Sequence, residues 1–190
     1  MKFYESGDNR KPVIFLFPGT CCLYSSFDHV LDGLHSYFYT VTVSYDGFDP
    51  NEKTEFYSME DECEKIEQEI RKKYGGRIYL VAKIQSSMVV PFMYKMVHTG
   101  TLPKFMQKKL DKTDDGKKEL YNGFLNMFGI GKGGSPWITK QSIYNQFYSD
   151  LVTKVQHGID VPGTTIHVFY ATKMGEKYEK RYCTYFKNPD

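Results

Sequence analysis

The sequence lacks most of the features that would place it in a specialised class of protein. Its 190 residues contain no apolar run near the roughly 20 residues that a membrane-spanning helix needs. The first eight residues, Met-Lys-Phe-Tyr-Glu-Ser-Gly-Asp, lack the apolar stretch of a secretory signal peptide, so we expect none. The 4 cysteines form no C-x-x-C pair and have no histidine at metal-ligand spacing. These absences predict a cytoplasmic protein with free thiols, no metal, no cofactor and no membrane contact.

Strong charge of either sign is also missing. Lys and Arg number 25 against 23 Asp and Glu, a formal net charge of +2, so nothing general favours nucleic acid as a partner. No internal repeat or low-complexity tract interrupts the chain. The length and the 41% share of hydrophobic residues predict a single domain over 1–190 with a sizeable core.

Short apolar or alternating runs, each ending in a turn signal, predict the strands of a sheet. The runs are Pro12–Phe17, Tyr37–Tyr45, Arg77–Ala82 and Thr165–Ala171. Residues Lys2–Glu5 form either a short first strand or one arm of a hairpin that turns at Gly7.

Segments with helical spacing separate these runs. A helix is expected after a cap at Ser25 or Ser26, and the clearest helix begins at Ser58 with Met59, Cys63, Ile66 and Ile70 on one face. A further helix follows Ser135-Pro136 and runs through Val155, with an apolar face of Ile143, Phe147, Leu151 and Val155. Strands that alternate with helices predict an α/β fold with a mostly parallel sheet and helices on both faces.

The order of these elements resembles the α/β-hydrolase superfamily. The resemblance rests on a Pro-Gly-Thr turn at 18–20, a Tyr-Asp-Gly turn at 45–47 and a sharp strand-to-helix turn, Ala82-Lys83-Ile84-Gln85-Ser86. In that superfamily such a turn carries the nucleophile as G-x-S-x-G. It implies that Ile84 takes the nucleophile position and that residues 100–155 form a helical cap insert.

The resemblance also implies positions for the rest of a catalytic site. The backbone N–H of Thr20 or Cys21, together with that of Gln85, would form the oxyanion hole. Met174 would take the position of the acid. No histidine follows His167, and the last strand of the superfamily, with the histidine after it, is expected to be missing. Because acyl transfer needs nucleophile, base and orienting acid together, we expect an impaired or inactive hydrolase homologue.

Three alternatives stay open from the sequence. A shifted elbow would make Ser86 or Ser87 the nucleophile of an active serine hydrolase acting on an ester or amide. In the second alternative, the chain is part of a longer enzyme. In the third, it is a binding or scaffold protein, which holds a small apolar ligand beneath the cap or a second copy or partner chain at an open sheet edge.

Asp46 has two readings in the sequence. It follows the carboxyl end of a predicted strand, which is where open α/β sheets place their ligands. It also precedes Gly47, a pattern that is typical of an Asx turn.

Overall fold

The computed structural model describes residues 1–19, 21–75, 78–82, 94, 104, 108, 112, 137–154, 156–160, 162–163, 165, 180 and 183–187. The chain divides into two compact units, Met1–Val152 and Thr153–Asp190. In the second unit, Ile159 forms a parallel bridge with Phe186. The predicted strand Thr165–Ala171 and most of the predicted cap lie outside the described residues, so both stay predictions.

Four strands of the first unit form one sheet in the order β1-β3-β2-β4. They are β1 (Lys2–Ser6), β2 (Val13–Phe17), β3 (Tyr39–Ser44) and β4 (Ile78–Ala82). β2 is parallel to both β3 and β4, whereas β1 is antiparallel to β3. The prediction of a mostly parallel sheet is confirmed. The hairpin alternative for the first residues is wrong, because β1 pairs with β3 and not with β2.

Three helices are described in the same unit: α1 (Asp28–His35), α2 (Met59–Lys73) and α3 (Lys140–Val152). The predicted cap of α2 is confirmed, since Ser58 Oγ accepts a hydrogen bond from Asp61 N at 3.2 Å. The predicted serine cap of α1 is wrong, because a 3₁₀ turn at Tyr24–Phe27 runs directly into that helix without a side-chain cap. No described helix is both long and apolar enough to cross a membrane.

Alternate side chains of β2 point to two separate apolar clusters. Ile14 and Leu16 pack with Phe27 and with the apolar side of α1. Val13, Phe15 and Phe17 face the other way, into the larger cluster that includes side chains from α2 and α3. The period of two along the strand therefore places helices on both faces of the sheet, as the sequence predicts.

α3 departs from its predicted apolar face. Ile143 and Phe147 are buried, but Leu151 is 37% exposed. Ser142, Gln146 and Ser149 are buried instead. The reason is tertiary: polar side chains of α3 bind the backbone of the segment between β3 and the first residue of α2. Phe56 N donates to Ser142 Oγ at 3.1 Å, Asn145 Nδ2 donates to Phe56 O at 2.8 Å, and Met59 N donates to Ser149 Oγ at 3.3 Å.

We expect Gly47→Ala to lower the free energy of unfolding by about 2 kcal/mol or more. Gly47 has φ +78°, and an added Cβ would lie 2.9 Å from Phe56 N and against the side chain of Ser142. Gly33 is the matched control. It lies within α1 with no atom within 4 Å of an added Cβ, so Gly33→Ala should stabilise the protein by about 0.5–1 kcal/mol. Urea unfolding measures both, and equal effects would contradict the clash at Gly47.

Candidate functional site

The carboxyl ends of β2 and β3 form the candidate site. Adjacent parallel strands end at the same edge of a sheet, and α/β proteins place ligands in the crevice outside that edge. Here the edge is lined by the turn that begins at Pro18, by the loop that begins at Tyr45, and by α2 and α3. β4 ends at the same edge, because Ala82 pairs with Phe17.

The predicted elbow follows Ala82 directly. Its residues Ile84, Gln85, Ser86 and Ser87 lie outside the described residues, as do Thr20 and Met174, so their predicted roles stay predictions. The structure places the end of β4 beside the end of β2, where Ala82 pairs with Phe17 directly before the turn that begins at Pro18.

Cys21 lies in that turn and has an unusual backbone. Its φ is 56°, in the left-handed region that side chains other than glycine rarely adopt. The Cys21 N–H donates to Gln146 Oε1 at 2.7 Å, and the Cys21 thiol donates to the same oxygen at 3.2 Å. Both residues are buried. Of the two amides predicted as alternatives for the oxyanion hole in this turn, that of Cys21 is therefore already bound by a side chain of α3.

The Cys21 thiol does not offer a substitute nucleophile. Burial raises the pKa of this thiol well above its ordinary value, and the negative charge of Asp150 acts in the same direction. Because the thiolate is the reactive form of cysteine, a raised pKa disfavours this thiol as a nucleophile.

Asp46 follows β3 and sits in a cluster of charges. It is 6% exposed, and its carboxylate accepts from the ammonium of Met1 and, at 2.6 Å, from Lys65 Nζ. Lys65 Nζ also contacts Asp61 and, at 3.4 Å, Glu62. Asp46 and Gly47 form a turn, but the backbone closes it: the Phe48 N–H donates to Tyr45 O at 3.1 Å, whereas the Asp46 carboxylate accepts from Met1 and Lys65. The predicted Asx turn, which the Asp46 side chain would close, is therefore wrong.

The carboxylates of this cluster lie close enough together to suggest a metal site. Asp46, Asp61 and Glu62 each offer an oxygen, and these oxygens lie within 4.8 Å of one another. However, Lys65 contacts all three side chains. Its ammonium group supplies positive charge in the place that a cation would take, so the cluster reads as an ion-pair network.

Glu62 is the group that the sequence analysis missed. Its side chain is 0% exposed, and its Oε2 accepts from Asp46 N at 3.1 Å. Burial raises the pKa of this carboxyl to about 7, and it outweighs the opposing effect of Lys65 and of the N-terminal ammonium. Cys63, predicted on the buried face of α2, is exposed instead. The sequence did offer one indication that Glu62 is buried: it follows Met59 by three residues and so lies on the same side of the helix as that core residue.

An apolar cavity of about 470 Å³ lies between the ends of β2 and β3 and one side of α2. Phe17 and Tyr45 line it from the strand ends, and one side of α2 forms the opposite wall. Among the described residues around it, none is cationic. The lining residues are Phe17, Tyr45, Met59, Glu62, Cys63, Ile66, Glu67 and Ile70.

We expect Glu62→Gln to change how stability depends on pH. A carboxyl whose pKa is raised on folding contributes stability below the pKa of the unfolded chain, and this contribution is lost as pH rises through about 7. The wild type should therefore lose on the order of 2 kcal/mol relative to Glu62→Gln between pH 5 and pH 8. Glu64→Gln, on the exposed side of α2, is the control and should track the wild type. Urea unfolding at both pH values measures the free energy of unfolding of each protein. The same change between pH 5 and pH 8 in all three proteins would contradict the prediction.

No protein-family model and no curated protein matches the sequence. Solved structures do show similarity. A protein described as an alpha/beta hydrolase family member from Desulfitobacterium hafniense has a TM-score of 0.46 and 12% identity, covering 79% of this chain and 72% of that one. A hydrolase from Pseudomonas aeruginosa has a TM-score of 0.44 and 12% identity, covering 80% of this chain and 69% of that one. The structure of 1H-3-hydroxy-4-oxoquinoline 2,4-dioxygenase has a TM-score of 0.45 and 15% identity, covering 75% of this chain and 64% of that one. The first of these is described as a member of the superfamily that the sequence resembles, and the second as a hydrolase. At these TM-scores the likeness supports no conclusion about function.

Proposed function

We propose that this chain is a cytoplasmic α/β-hydrolase-like protein that binds a small apolar molecule at the carboxyl edge of its sheet. We further propose that it does not catalyse acyl transfer with the usual triad of the superfamily. The observation that carries the proposal is the apolar cavity that Phe17 and Tyr45 line from the ends of β2 and β3.

The cavity supports the binding part of the proposal. Its volume of about 470 Å³ falls within the range of small-molecule pockets, and apolar side chains make up most of its lining. It touches the ends of two parallel strands, Phe17 from β2 and Tyr45 after β3. An apolar molecule would gain stabilisation there roughly in proportion to the apolar area it removes from water.

Two observations support the loss of the usual chemistry. Ile84, at the nucleophile position that the resemblance implies, has no oxygen or sulfur atom for a base to activate. The Cys21 amide, one of the two amides that the resemblance offers for the oxyanion hole, already donates to Gln146 Oε1. Acyl transfer at this edge would therefore require a different nucleophile and, if Cys21 were the donor, displacement of a buried carboxamide.

The cysteines support the cytoplasmic assignment. All four are free thiols in the structure: Cys21, Cys22, Cys63 and Cys183. Free thiols persist in reducing compartments, whereas secreted domains commonly pair their cysteines.

Ile66→Trp tests the binding site. Ile66 lines the cavity from α2, so an indole there should fill it and weaken binding of the neutral fluorophore N-phenyl-1-naphthylamine by about tenfold or more. Val30→Trp is the control, because Val30 is a 38% exposed residue of α1 and does not line this cavity. Saturable fluorescence titration and thermal unfolding would be followed for each protein. Absence of saturable binding in the wild type would overturn the proposed function.

Ile84→Ser tests the loss of catalysis. A serine alone should not create turnover of p-nitrophenyl butyrate, because its base and acid would still be missing. A fluorophosphonate adduct mapped by mass spectrometry to Ser86 or Ser87 of the wild type would instead identify an active serine hydrolase with a shifted elbow. Substantial turnover by Ile84→Ser would show that a base and an acid are present after all.

A further inference from the structure

A second group of reactive side chains lies on the opposite face of the sheet, toward the amino ends of its parallel strands. Ser6 is the last residue of β1, His35 is the last residue of α1, and Thr40 lies in β3 opposite Ser6. Ser6 Oγ is 2.9 Å from His35 Nε2 and 2.7 Å from Thr40 Oγ1. Thr40 Oγ1 is 3.1 Å from His35 Nε2. A hydroxyl and an imidazole nitrogen at this distance are the pair that nucleophilic catalysis uses.

The surroundings hold the imidazole in place. Gly7 follows Ser6 with φ +95°, and a Cβ added there would lie 3.0 Å from His35 Cδ2, so the ring packs directly on the backbone of Gly7. Lys11 Nζ donates to the carbonyl of His35 at 2.6 Å and ties down the end of α1. Thr40 is fully buried, which fixes the third member of the group.

We propose that Ser6, His35 and Thr40 form a second site, in which His35 activates the Ser6 hydroxyl to accept an acyl group from a small activated ester. The inference is independent of the apolar cavity, because it uses another face of the sheet and none of the residues that line the cavity. Ser6 and His35 are both half-buried, so part of each residue is exposed to solvent.

The proposed step is an ordinary acyl transfer. Ser6 Oγ attacks the ester carbonyl carbon and forms a new C–O bond, while its proton passes to His35 Nε2. The tetrahedral intermediate then breaks the bond to the leaving alkoxide or phenoxide, which takes a proton from the imidazolium or departs as the anion. Thr40 Oγ1 can accept from the imidazolium Nε2–H during this step, since the hydroxyl rotates to suit its partner.

The site's exposure limits its substrates. Water at this half-exposed edge solvates the developing oxyanion, and solvation of this kind is weaker than a preorganised pair of donors. We therefore expect acylation by esters with good leaving groups, such as p-nitrophenyl acetate, and slow release of the acyl group afterwards.

The test is acylation by p-nitrophenyl acetate, with the modified residue mapped by peptide mass spectrometry. The wild type and the control Ser36→Ala, an exposed serine beside His35, should carry the acetyl group on Ser6. Ser6→Ala should carry none at that position. In His35→Gln, Ser6 should be acylated about a hundredfold more slowly than in the wild type, because general acid–base catalysis contributes a factor of about a hundred or more. Added imidazole should restore acylation of Ser6 in His35→Ala, which a purely structural role of His35 does not predict.

Mapping on the wild type decides the proposal even if a variant fails to fold, which thermal unfolding would reveal. An acetyl group absent from Ser6, or found only on lysines and tyrosines, would overturn it. Acylation of Ser6 at the wild-type rate in a folded His35→Gln would overturn the role of His35. Ser6→Ala treated with imidazole corrects for the direct reaction of imidazole with the ester.

Discussion

The carboxyl edge of the sheet depends on hydrogen bonds between side chains of α3 and the backbone of two loops. Gln146 accepts from the Cys21 amide, Ser142 accepts from the Phe56 amide, and Ser149 accepts from the Met59 amide. A buried amide left without a partner costs about 1–3 kcal/mol. Three such bonds from one helix therefore fix the turn after β2 and the loop after β3 together, and the cavity and the charge cluster lie against the loops that these bonds hold.

The same constraint explains why charge is buried at this edge. Once the loop after β3 is held in place, Asp46 and Glu62 are withdrawn from water next to each other, and like charges in that position are unfavourable. The ammonium of Lys65 bonds to Asp46 and reaches Glu62, while the Asp46 amide donates to Glu62. Even so, burial dominates at Glu62 and keeps its proton to about neutral pH. The network makes the site's electrostatics sensitive to pH near neutrality.

Local patterns predicted the parts of the fold that local physics determines. The apolar run of β2 and the Ser58 cap of α2 both appear as expected, because strand burial and capping depend on neighbouring residues. The pairing of β1 with β3, the inward polar side chains of α3 and the burial of Glu62 were not predicted. Each of these depends on a partner distant in sequence, such as Phe56 for Ser142, and no periodicity within one segment encodes such a partner.

The candidate site shows the same division. The strand ends and the turn at Pro18-Gly19 predict a site at this edge, and that stays a prediction, whereas the acceptor for the Cys21 amide lies 125 residues further along the chain. The left-handed backbone of Cys21 carries strain that the surrounding structure must over-determine, and Gln146 is the contact that does so through both the amide and the thiol. A family resemblance places a backbone donor in that turn. Only the tertiary structure shows that the Cys21 amide, one of the two amides that the resemblance offers for that role, already donates to a side chain of α3.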